Sequence, residues 1–155
     1  MSKIQRPQVS VVIPVHNIEA HLRQCLDSVA NQTLPDFEVV CVDDGSTDAS
    51  SEILREYSAQ DRRFHIIRQE NSGPGVARNR GLEQAMGEYL VFWDSDDWFE
   101  PNFLAYMVER ARQTDADIIV CRADEFDTQS GRRYDGHWML KTQLLPSDTF
   151  APEEV

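Results

Sequence analysis

Positive charge is scarce in this chain. Its 155 residues carry 15 lysines and arginines against 27 aspartates and glutamates, a formal net charge of -12. The only lysines are Lys3 and Lys141. Such a surface repels nucleic acid and anionic lipid, so neither is a default partner. It also repels an anionic substrate unless a cation intervenes. Cysteines are few: Cys25, Cys41 and Cys121. Their odd number, wide spacing and apolar contexts argue against a disulfide framework or a zinc cage, and predict buried free thiols in a reducing compartment. Long apolar runs are missing as well. VSVVIPV, residues 9–15, is short and interrupted by Pro14, so it is neither a signal peptide nor a membrane span. The expected setting is cytoplasmic, with attachment to the inner face of a membrane only through segments outside this sequence.

What is present is a regular alternation. VSVVIPV and FEVVCVDD, residues 37–44, are β-branched runs suited to strands buried on both faces. Between them Ile18, Leu22, Leu26 and Val29 repeat at helical spacing. A second helix is predicted over 49–60, with Ile53, Leu54 and Tyr57 inward, after the turn and cap residues Gly45 to Asp48. A third strand is expected over 63–70 and, after the loop NSGPG, a third helix over 76–87. The small residues Ala77, Gly81 and Ala85 of that helix allow close packing on a sheet. A fourth strand follows over 88–94. Pro101 suits a first helical turn, and Phe103, Leu104, Met107, Val108 and Ala111 line a fourth helix. ADIIVCRADEF, residues 116–126, reads as a fifth strand, TQSGRR as a turn, and RYDGHWML is compatible with a further strand. Strand and helix in alternation predict an α/β fold: a Rossmann-like, mostly parallel sheet with helices on both faces. The whole of 1–155 reads as a single domain, cut short where TFAPEEV, ending in Val155, begins to look like another helix.

In a parallel sheet, ligands bind beyond the carboxyl ends of the strands. The first strand ends in Pro14-Val15-His16-Asn17, the second in Asp43-Asp44-Gly45-Ser46, the fourth in Asp94-Ser95-Asp96-Asp97. Any one acidic pair would be an ordinary turn or helix cap. Two clusters at equivalent strand ends are harder to explain that way, because crowded carboxylates repel and raise one another's pKa unless a counter-cation is present. Oxygen-only donors favour a hard ion, Mn²⁺ or Mg²⁺. Such an ion would let an acidic site take a diphosphate, and would stabilise negative charge on a departing phosphate.

VSVVIPVHN with CLDSVANQT, then FEVVCVDDGSTDAS, then NSGPGVARNRGLEQAMGEYLVFWDSDD together resemble the family 2 inverting glycosyltransferases of the GT-A fold. The resemblance covers about residues 8–125, in order and spacing. It implies transfer of a hexose-type sugar from a nucleotide-diphosphate donor, a UDP-sugar first among candidates, to a saccharide or glycoconjugate acceptor, in a setting such as polysaccharide assembly. The family's DXD motif falls on Asp94-Ser95-Asp96. The resemblance implies Asp96 as the main metal ligand and Asp94 at the ribose or the metal. Asp44, with Asp43 beside it, matches the base-contacting aspartate. Pro14, Val15 and Asn17 match the nucleoside loop, Glu19 a glutamate at the same pocket, and Arg78 the arginine that closes over the nucleotide.

Other readings are weaker. Gly73 and Gly75 have the G-x-G spacing of a dinucleotide site, but Arg78 stands where the third glycine belongs. A phosphoacceptor domain would need a lysine opposite its aspartate, and neither lysine lies at a strand end. A nucleotidyltransferase would place a glycine-rich basic loop after the first strand, where PVHNIEAHL stands. A non-catalytic nucleotide-sugar binding module stays open, because no carboxylate here matches the general base that inversion requires. In the resembling family that base lies well downstream of the DXD motif, in the acceptor-binding half. Its expected place is therefore beyond Val155, and no residue of this chain is assigned to it. The chain by itself is expected to bind donor and metal and to transfer sugar poorly.

Overall fold

The computed structural model describes residues 6–121 and 123–135. They fall into two compact units, one ending at Val108 and one beginning at Glu109.

The first unit holds a four-stranded parallel sheet. Its strands are β1 (Val9–Val15), β2 (Phe37–Asp44), β3 (Phe64–Gln69) and β4 (Tyr89–Phe92), in the order β3-β2-β1-β4. β1 and β2 are buried along their whole length. That is the expected state of valine-rich strands in a sheet covered on both faces. The cover comes from α1 (Glu19–Ala30), α2 (Ser50–Gln60), α3 (Pro74–Leu82) and α4 (Phe103–Thr114). One face carries the larger core: Val11, Ile13, Val39 and Cys41 of the sheet against Leu22, Leu26, Val29, Leu54, Leu104 and Val108. The other carries Val12, Val40 and Val42 with Ala77 of α3. Helices on both faces of a parallel sheet is the architecture the alternation predicts.

Proline inside a central strand is unusual, because it cannot donate to the ladder. Here the register explains it. β4 pairs with β1 only from Val9 to Val12, and Trp93 N–H closes the ladder on the Val12 carbonyl at 3.0 Å. Pro14, two residues further along the same side, lies beyond the last β4 partner. The departure of β4 also opens the space in which the site forms.

Two expectations hold by close approach. A Cβ on Gly81 would lie 2.3 Å from Val12 Cγ1, so α3 sits against the sheet through a bare backbone. Ala77 beside it is fully buried. Other boundaries move. α3 begins at Pro74, two residues before the expected start, because Gly73 at φ 90° turns the chain and proline's fixed φ suits the first helical position. α4 begins at Phe103, so Pro101 precedes the helix.

The fifth strand predicted over 116–126 forms only at its end. Among the described residues of this stretch, only 124–127 are extended, as β5 (Asp124–Asp127), which pairs antiparallel with β6 (Arg132–Asp135). Ile118 is 74% exposed and Val120 53%, so the apolar run finds no sheet to bury it. Cys121 is exposed with them, against the prediction of three buried thiols, whereas Cys25 and Cys41 are buried. Burial pushes the Cys25 thiol up to about 12, and the charges of Asp97, Asp96 and Asp94 add to it; burial raises Cys41 too. Both are protonated, inert core side chains. The turn predicted at TQSGRR joins β5 to β6. Asp127 Oδ1 accepts from the Gln129 and Ser130 amides, and Gly131 takes φ 68°. The rest of RYDGHWML after Asp135, and the helix start expected from TFAPEEV to Val155, lie outside the described residues.

Candidate functional site

A cavity of ≈ 300 Å³ opens at the carboxyl ends of β1, β2 and β4. Pro14, Val15 and His16 line it from β1, and Asp44 from β2. Asn71, Gly73, Pro74 and Arg78 come from the loop and helix after β3, and Asp94, Ser95 and Asp96 follow β4. Seven of the residues singled out from the sequence thus share one space: Pro14, Val15, Asp44, Arg78, Asp94, Ser95 and Asp96.

Asp44 shapes the wall. Its Oδ1 accepts from Gln69 Nε2 and the Ser72 amide, both at 2.8 Å, and its Oδ2 accepts from the Gly73 amide at 2.8 Å. Burial pulls this carboxyl up, but those three hydrogen bonds and the nearby His16 outweigh it, so its pKa is lowered. Asp44 is ionised and holds the 71–73 loop that opens α3.

His16 joins three loops. Its Nδ1 lies 2.7 Å from the Asp44 carbonyl, which can only accept, so Nδ1 carries the proton. Nε2 then accepts from the amide groups of Asn17 and Asn71, each at 3.2 Å. Both nitrogens of the ring edge are occupied.

The remaining three predicted residues stand behind the wall. Asn17, at φ 48°, accepts with Oδ1 from the Thr47 amide at 2.8 Å. Glu19 Oε2 accepts from the Ala49 amide at 2.8 Å, and Asp48 Oδ2 accepts from the Glu19 amide at 3.1 Å. The α1 and α2 N-termini therefore cap one another, each lending a carboxylate to the other's orphan N–H. Ser50 Oγ accepts from Ile18 N–H and Ser46 Oγ from Asn17 N–H, completing the clasp. Asp43 turns away from the cavity. Its Oδ1 accepts from the Ser46 amide at 2.9 Å, and its Oδ2 takes a very short bond from Ser51 Oγ. Burial raises this carboxyl, and the Ser51 and Ser46 bonds and Arg68 bring it below its ordinary value.

The acidic loop shows the crowding expected of it. Asp97 is raised, first by burial and then by the charges of Asp96 and Asp94. Arg78 Nη2 meets Asp94 Oδ1 at 2.5 Å. Among the described residues no three His, Cys, Asp or Glu side chains converge into a ready-made metal cage. Of the other lining residues, His16 belongs to the strand-end stretch read from the sequence and Gly73 to its G-x-G, whereas Asn71 and Pro74 were not singled out. The helix-start pattern S-G-P was the one signal that could have brought the 71–74 loop to the site. The general base expected beyond Val155 falls outside the described residues, which run no further than Asp135. The carboxylates that line the cavity are Asp44, Asp94 and Asp96, all three singled out from the sequence.

The chain belongs to glycosyl transferase family 2, whose pattern matches residues 10–152. Its parallel sheet with helices on both faces is of the GT-A type. It is 43% identical over 148 residues to EpsH of Bacillus subtilis (strain 168), covering 95% of this chain and 42% of that protein. Among solved structures, S. aureus TarS superposes with a TM-score of 0.67 at 26% identity, over 88% of this chain and 30% of that one. The mannosyltransferase PcManGT of Pyrobaculum calidifontis, solved with GDP-Man and Mn²⁺, superposes with a TM-score of 0.62 at 29% identity, over 77% and 35%. The chain thus spans less than half the length of each of these three. Among the described residues no helix is long and apolar enough to cross a membrane.

Proposed function

We propose that this domain binds a nucleotide-diphosphate sugar through a divalent cation, for inverting transfer of a hexose-type sugar to a saccharide or glycoconjugate acceptor. The carrying observation is the meeting of Asp44, Arg78, Asp94 and Asp96 in one cavity at the ends of three parallel strands. The donor set suits Mn²⁺ or Mg²⁺: Asp94 and Asp96 offer hard oxygens, and such ions take one or two carboxylates and complete their shell with phosphate and water. Asp97 beside them is raised first by burial and then by the charges of Asp96 and Asp94, so negative charge does accumulate at this strand end. When bound, the ion would supply Lewis-acid stabilisation to the diphosphate.

The chain's own residues would do the rest. Asp44 and His16 shape the nucleoside side of the cavity, with Pro14 and Val15 as its floor. Arg78 stands where it can meet phosphate. Asn17, Glu19 and Asp43 would support the donor by holding the loops in place. The GDP-Man and Mn²⁺ complex of PcManGT supports the metal-assisted reading. A UDP-sugar remains our first choice of donor. The general base of the transfer step is assigned to sequence beyond Val155.

Thermal unfolding with UDP, GDP and dTDP, each with and without Mn²⁺, tests the donor site. A ligand at about a hundred times its dissociation constant adds about 2.7 kcal/mol, which raises the midpoint by about 5–10 °C in a chain of this size. A shift with one nucleotide that needs Mn²⁺ and vanishes in Asp96→Ala is expected. Shifts of equal size with and without metal would count against the cation.

A further inference from the structure

The loop that carries Asp94 and Asp96 is long and has no ladder partner after Trp93. Several of its backbone polar groups are instead met from α1 and the residues just past its C-terminus. Cys25 and Ser28 share a face of α1, and Gln32 follows the C-cap Asn31. Cys25 Sγ lies 3.7 Å from the Asp94 carbonyl and donates to it. The same carbonyl receives the Asp97 amide at 3.1 Å. Ser28 Oγ accepts from the Phe99 amide at 3.4 Å. Gln32 does most: its Nε2 donates to the Glu100 carbonyl at 2.8 Å, and its Oε1 accepts from the Leu104 amide at 2.9 Å. The Leu104 amide belongs to the first turn of α4 and has no acceptor within that helix. The Thr33 amide adds a bond to the Pro101 carbonyl at 2.7 Å.

Gln32 is 6% exposed, just past a helix that otherwise faces the core with leucine and valine. A buried amide is retained at a cost unless its bonds are made. Here the amide's donor and acceptor both grip the segment running from the acidic loop into α4. Trp93, Phe99 and Phe103 pack in a cluster, Trp93 tilted against Phe99 with ring centroids 3.8 Å apart and edge-on to Phe103. Apolar packing fixes depth but not the angular set of a backbone. The directional bonds from Cys25, Ser28 and Gln32 supply that.

We propose that Gln32 is a positioning residue for the donor site. Through Glu100 and Leu104, with Ser28 and Cys25 further along the rail, it sets the backbone from which Asp94 and Asp96 project. The inference rests on the donor-site reading above for its functional consequence, and on the hydrogen bonds alone for its structural one.

The test uses Gln32→Met, of similar volume without the amide, and Ser28→Ala as a milder cut in the same rail. In the free protein, amide hydrogen exchange at Asp97 is measured against that at Val12 in the core. Exchange at Asp97 should rise by about tenfold relative to Val12 in Gln32→Met, and by less in Ser28→Ala. Mn²⁺ is then titrated into protein saturated with UDP, and UDP is titrated without metal. Half-saturating Mn²⁺ should rise by about tenfold while metal-free UDP affinity stays within about twofold. Equal acceleration of exchange at both amides would reduce Gln32 to a general core residue and overturn the proposal. So would unchanged Mn²⁺ dependence beside a loosened loop. A local exchange effect in a protein whose unaltered form takes neither UDP nor Mn²⁺ would uphold the rail and count against the donor reading. Should Gln32→Met fail to fold, the same comparison in Ser28→Ala decides.

Discussion

Arg78 Nη2 and Asp94 Oδ1 are 2.5 Å apart in the lining of the cavity. The two side chains remain 34% and 52% exposed. A pair so open to water adds only about 0–1 kcal/mol to stability. It is therefore cheap to break, and on the proposed donor reading Arg78 would exchange the carboxylate for a phosphate at little cost. Arg78→Ala should leave the thermal midpoint within about 4 °C of its original value. It should weaken UDP binding in the presence of Mn²⁺ by about tenfold or more, as loss of a charge-assisted bond does. Thermal unfolding checks the first half and isothermal titration the second.

The clasp between α1 and α2 predicts a different signature at Glu19. Glu19→Ala removes the acceptor of the Ala49 amide and should cost about 1 kcal/mol. Glu19→Gln keeps a side-chain oxygen in place and should recover most of that. Nucleotide affinity should change little in Glu19→Gln. A large loss of affinity in Glu19→Gln, with stability preserved, would place Glu19 in contact with the donor.

Glu38 anchors the opposite end of the sheet. Its Oε1 accepts from Ser10 Oγ at 2.5 Å and from the Met86 amide at 2.6 Å, and Ser10 Oγ accepts from the Gly87 amide at 2.7 Å. The three hold the entry to β4. Glu38→Ala strands the buried Ser10 hydroxyl and a half-buried amide, at about 1–3 kcal/mol. Urea unfolding should show that loss, and UDP titration should show none, since the site lies at the other ends of the strands.

Acid should weaken the fold through Asp43 and Asp44. Both carboxyls lie below their ordinary values in the folded chain, so each contributes stability that is fully present above the unfolded value of about 3.9. That contribution is lost as pH falls from there through the lowered folded values. Asp43→Asn should flatten part of the decline in unfolding free energy below about pH 4. An acid profile identical to that of the unaltered chain would show that its hydrogen bonds to Ser46 and Ser51 do not favour the ionised form.

Much of this was legible in the residue order. β1 and β2 lie where their valine-rich segments do, because a strand buried on both faces needs mostly apolar residues and can pair its few polar ones. Asp44, Asp94 and Asp96 could be found because a parallel sheet always presents the ends of its strands on one edge. The run at 116–121 has the same local look and forms no strand, since apolar run length cannot say whether a neighbour exists to pair with. Asn17, Glu19 and Asp43 sit in the right motifs, yet their side chains serve the clasp and the α2 turn. Asn17 and Glu19 have partners about thirty residues away along the chain, beyond any local pattern.

The sequence by itself determined the alternation, the two faces of the sheet and the concentration of carboxylates at its carboxyl edge, because periodicity and strand direction are local properties. Only the tertiary structure decided which groups face the cavity and which hold it open. A side chain with a free carboxylate or amide takes whichever partner the fold brings within hydrogen-bonding reach, about 3 Å. That choice is made between loops the chain itself keeps far apart.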